Sequence, residues 1–213
     1  MTFDDFVQHI FNQEVGEISW YHRLVDDAVA LPNERLIALA CEVFQRIEEV
    51  HGSFSQGQVS AGLRYLIDPF GGMGDAYLDG RVPEADRVKA VRLMAIVFER
   101  LFAVMCTNST PVSSATLPRE PYANLCYMWW DIFPRHGVPR RDDMAALDAA
   151  ILQTMVGILS LDNVPCQESA LHGLGHWYSA KPELVEGAIA RFIPHVSPIL
   201  LPFAEAASSG NIM

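Results

Sequence analysis

The chain has 213 residues, half of them hydrophobic and only 19% charged, with a formal net charge of −11. It is long enough to bury a core, and its composition excludes a disordered or heavily solvated chain. A field of this sign repels phosphate backbones and anionic lipid, so the expectation is a protein partner, with no nucleic acid and no membrane.

The tight basic group Arg135, Arg140 and Arg141 runs straight into Asp142 and Asp143 and reads as a solvated loop. Cys41, Cys106, Cys126 and Cys166 lie far apart among apolar neighbours, without a Cys-x-x-Cys pair, and read as reduced core residues. The start, Met1-Thr-Phe-Asp-Asp5, is acidic where an export signal is basic. The most apolar helical run, Val88 to Cys106, carries Lys89, Arg92, Glu99 and Arg100, which suits an amphipathic helix rather than a membrane span. The expected location is cytoplasmic.

Taken in order, Thr2 with Asp5 forms a capping box before a stripe of Phe3, Phe6, Val7, Ile10 and Phe11. A second helix is expected over 19–30. A third opens at Pro32-Asn33, buries Leu36, Ile37, Ala40, Val43, Phe44, Ile47 and Val50, and ends at Gly52. Helices follow over 56–67 and, after a flexible loop at 70–75, from Pro83 to about Met105. The Ser, Thr and Pro-rich stretch 107–121 is an exposed loop or linker. Tyr122 to Phe133 is apolar nearly all round and therefore buried. Further helices are expected from Asp142 to Leu161, Cys166 to Ser179, Pro182 to Phe192 and about Ser197 to Ala206.

The pattern predicts an all-α chain, either antiparallel helix pairs stacked as a short superhelix or a compact helical array. It reads as one domain over 1–213, with 107–121 the place where it could divide. Ala170-Leu171, Leu174-Gly175 and Pro182-Glu-Leu-Val185 resemble the second half of a HEAT repeat, so residues 165–193 resemble HEAT/armadillo helical-repeat proteins. The resemblance implies a concave face for a partner and brings no catalytic residues.

The segment Val164 to Trp177 holds the sharpest chemistry. His172 and His176, four residues apart on a helix, share a face and could reach one metal ion, with Glu168 a turn earlier and Trp177 as a wall. Glu168 and His176 are roughly 12 Å apart along the axis, too far to ligate one ion together. The glutamate of a His-Glu-x-x-His protease is absent. Gly173 and Gly175 each cost about 1 kcal/mol of helix propensity, and close approach of a neighbouring helix would offset this. That favours packing histidines over a pocket, and a pocket over a metal. On the segment 122–133, Asn124, Tyr127 and Asp131 share a narrow strip, Tyr127 and Asp131 could line a cavity beside one of the tryptophans, and a carboxylate near either histidine would raise its pKa. The glycine loop 71–74 lacks the spacing of a phosphate cradle, and no nucleophile elbow occurs.

Two functions follow. The first is a protein-interaction module without catalysis, metal or cofactor. The alternative is a small-molecule- or metal-binding protein or hydrolase with a pocket around His172, His176, Glu168 and Asp131, flanked by Trp177, Tyr127 and Trp130. A helical-repeat DNA glycosylase would need a basic face, which the acidic charge opposes.

Overall fold

The structure is a computed structural model that describes residues 1–16, 20–23, 31–108, 111–113, 120–137 and 144–212. Its described residues form helices joined by turns and loops, with no strand among them. Helix α1 (Phe3–Phe11) carries the capping box: Asp5 N–H donates to Thr2 Oγ1 at 3.1 Å, and Thr2 N–H donates to Asp5 Oδ2 at 3.0 Å. Of the helix expected over 19–30, only α2 (Trp20–Arg23) falls within the described residues.

The single helix expected to end at Gly52 is instead two, α3 (Asn33–Gln45) and α4 (Ile47–Ser53). The break is at Arg46, with φ −108° and ψ 25°. Its guanidinium pairs with Glu42 and Glu49 and lies 4.2 Å over the Phe3 ring. Gly52 stays inside α4 and does not adopt a positive φ. What ends α4 is extended Phe54, because Ser55 starts the next helix with a capping box to Gln58.

Helix α5 (Gln56–Ile67) ends at Asp68, and the glycine loop folds back on it. Met73 N–H donates to the Tyr65 carbonyl and Gly74 N–H to the Asp68 carbonyl, both at 2.9 Å. The loop is therefore tied to the end of α5, not loose. Pro83 precedes rather than opens α6 (Glu84–Val97). A π-turn over Phe98–Phe102 then carries the chain into α7 (Ala103–Met105), so the helical run does reach Met105.

The remaining helices are α8 (Pro121–Ile132), α9 (Ala145–Ile158), α10 (Val164–Trp177), α11 (Pro182–Phe192) and α12 (Leu201–Ala207). Asp142 lies outside the described residues, and α9 stops before Leu161. The turn there is held by Gln167 Nε2, which donates to the Leu159 and Leu161 carbonyls.

Helix α3 packs on α6, α6 on α9, α5 on α8, and α10 is flanked by α8, α9 and α12, giving a compact helical array. At its centre Phe98 meets Phe102, Trp129 and Trp130 with ring centroids 5.1 to 6.0 Å apart, large buried surfaces that dominate the core energetics. All four cysteines are buried and free. Among the described residues no helix is long and apolar enough to cross a membrane.

Candidate metal centre

The centre rests on how closely α8 and α10 approach. Asn163 caps α10 by accepting from Cys166 N–H at 3.1 Å, and its own amide donates to the Ala103 and Cys106 carbonyls, so the helix start is fixed to the end of α7. Further along, a Cβ on Gly173 would stand 2.8 Å from Trp130 Cγ and 2.5 Å from Met155 Sδ, and one on Gly175 would stand 2.7 Å from Ile212 Cδ1. Each glycine admits a neighbour that alanine would push away.

This approach sets two pairs of side chains, each spaced by one helical turn, against each other: Tyr127 and Asp131 on α8 face His172 and His176 on α10. The Tyr127 ring stacks on His172, centroids 4.6 Å apart, and the two imidazoles lie 4.8 Å apart. Asp131 Oδ1 lies 2.6 Å from His176 Nε2, and Asp131 Oδ2 lies 3.7 Å from His172 Nε2. The three groups offer ligand atoms that all fall within 4.8 Å of one another. His172 is 4% exposed, while the Asp131 and His176 side chains are 23% and 32% exposed, although their facing atoms Oδ1 and Nε2 are themselves buried.

The shortest contact is not a good hydrogen bond. Asp131 Oδ1 and His176 Nε2 are both buried atoms without an aligned hydrogen-bond partner, although they lie 2.6 Å apart. Buried polar atoms without an aligned partner are costly. Burial pushes the Asp131 carboxyl up, but the close His176, together with the charge that His172, His176 and His136 bring when protonated, outweighs it and holds its pKa below the ordinary value. His172 moves opposite to the sequence expectation. Burial lowers its pKa and outweighs Asp131, which raises it, while His176 lowers it further and a hydrogen bond with the Tyr127 backbone favours the proton. The lowered His172 and Asp131 pKa values each favour the deprotonated form in which that group ligates a metal ion.

The other candidates lie elsewhere. Glu168 is fully buried and accepts from the N–H groups of Val112 and Ser113 and from the Ser113 hydroxyl, anchoring that loop. Trp177 is buried. Trp130 stacks flat on Phe98 with its back to Gly173.

One neighbour was not nominated from sequence. His136 sits in the turn after α8, its ring 6.2 Å from that of His176, and its Nδ1 is 3.2 Å from the Phe133 carbonyl. The turn is held on both sides. Arg135 makes a buried two-point pair with Asp148 on α9, at 2.6 and 2.8 Å, so it is no part of a solvated loop. Gly137, with φ 65°, lies against the His176 carbonyl where any Cβ would collide. A histidine five residues after Asp131, beyond the helix end, carries no spacing signal that would have found it.

The chain matches no family model, no curated protein and no solved structure.

Proposed function

We propose that this protein binds a divalent transition-metal ion on Asp131, His172 and His176. The observation that supports this reading most strongly is the convergence of one carboxylate and two imidazoles with ligand atoms within 4.8 Å, two of them lacking an aligned hydrogen bond. Ligand atoms around one zinc stand about 3–3.5 Å apart, so the cluster needs only a small adjustment to take an ion. Imidazole ligands favour zinc, cobalt, nickel or copper over calcium and magnesium, which prefer all-oxygen sites.

This is the ligand-centre alternative drawn from the sequence, narrowed to a metal and without Glu168, and the geometry supports it ahead of the partner-docking module. The test is calorimetric titration of zinc into chelator-stripped protein. The expected result is about one equivalent bound, lost in Asp131→Ala and His176→Ala. Binding of less than about a tenth of an equivalent, or variants that bind like the parent, would overturn it.

A further inference from the structure

We infer that His136 supplies a fourth ligand to this centre, so that the bound metal clamps the turn after α8 onto α10 and the site is closed rather than open to substrate. The inference rests on the metal reading above and adds a residue and a consequence to it. Two imidazoles on one zinc place their ring centroids about 5 Å apart. His172 and His176 already stand at 4.8 Å, and His136 stands 6.2 Å from His176, about an ångström too far.

Three further observations favour the closure. His136 is an exposed side chain outside the packed core. Its Nδ1 faces the Phe133 carbonyl at 3.2 Å, the outer-shell arrangement that fixes an imidazole tautomer and leaves Nε2 as the ligand atom. The turn that carries it is held in place without the ion, by the buried Arg135–Asp148 pair and by Gly137 against the His176 carbonyl, so ligation costs little ordering. A set of three imidazoles and one carboxylate fills a tetrahedral zinc and leaves no position for a reacting water, whereas three ligands would leave one. The centre therefore fastens α8, the following turn and α10 together.

Cobalt(II) is the probe, because a four-coordinate ion shows an intense visible d–d band that weakens when the coordination number rises. The expected results are this band in the parent protein, insensitive to pH around neutrality, cobalt affinity reduced at least about tenfold in His136→Ala with a band that now shifts with pH as a bound water titrates at about pH 7, and recovery of the parent spectrum on adding free imidazole. His136→Gln guards against a side effect of the truncation, and metal-free melting temperatures of both variants should equal the parent's. If His136→Ala keeps the parent spectrum and affinity while His176→Ala loses both, the fourth ligand is wrong and the three-residue centre stands. If the parent protein itself takes up no cobalt, both readings fall.

Discussion

Asp131 is the residue on which the chemistry turns, since it touches both imidazoles of α10. Asp131→Asn keeps the shape and removes the charge. It should reduce zinc affinity by at least about a hundredfold, measured by competition with a chromophoric chelator, while changing stability by only about 1 kcal/mol. His172 behaves differently because it is buried and stacked on Tyr127. His172→Ala should lose metal binding and stability together, whereas half-exposed His176→Ala should lose binding alone. Gly173 makes a packing claim that urea denaturation can check. Alanine there gains about 1 kcal/mol of helix propensity but collides with Trp130 and Met155, and overpacking costs about 1–3 kcal/mol. The expected outcome is net destabilisation with weaker zinc binding, because the α8–α10 spacing sets the ligand distances.

At the scale of elements, α8, the turn after it and α10 form one unit, with Arg135–Asp148 tying that unit to α9. Arg135→Met leaves the Asp148 carboxylate buried without its partner and should cost about 3–5 kcal/mol in denaturant unfolding. The helices themselves were legible in the sequence, from the Thr2 cap to the apolar stripes of α1 and α3. So was the reason for Gly173, which does sit under neighbouring helices at Trp130 and Met155, whereas Gly175 makes room for Ile212 of the chain end rather than for a helix. The break at Arg46 was not, because a pair of ion pairs and a ring contact from Phe3 stabilise a kink that no breaker residue marks. Helical spacing could align Asp131 with Tyr127 and His172 with His176. It could not show that those two faces meet. Glu168 illustrates the converse: it shares a helix with both histidines, yet its carboxylate accepts three hydrogen bonds from a distant loop.

For the whole molecule, acid should act on stability through the same cluster. The folded-state pKa of His172 lies below its ordinary value, so its contribution is complete above about pH 6.5 and is lost as pH falls toward the folded value. The lowered Asp131 works in the same direction at more acid pH, its contribution fading as pH falls through its folded value. Urea midpoints should therefore drop between about pH 7.5 and 5, and drop less in His172→Gln. Zinc at a hundredfold excess over its Kd should add about 2.7 kcal/mol, visible as a rise in Tm that disappears with chelator.

The most direct measurement is the zinc-edge X-ray absorption spectrum of the loaded protein, since the chain offers both imidazoles and four buried thiols as ligands. The predicted result is a nitrogen and oxygen shell at about 2.0–2.1 Å with imidazole scattering beyond it, lost in His176→Ala. A sulfur shell near about 2.3 Å, or a spectrum unchanged by that substitution, would place the metal elsewhere and contradict the centre described here.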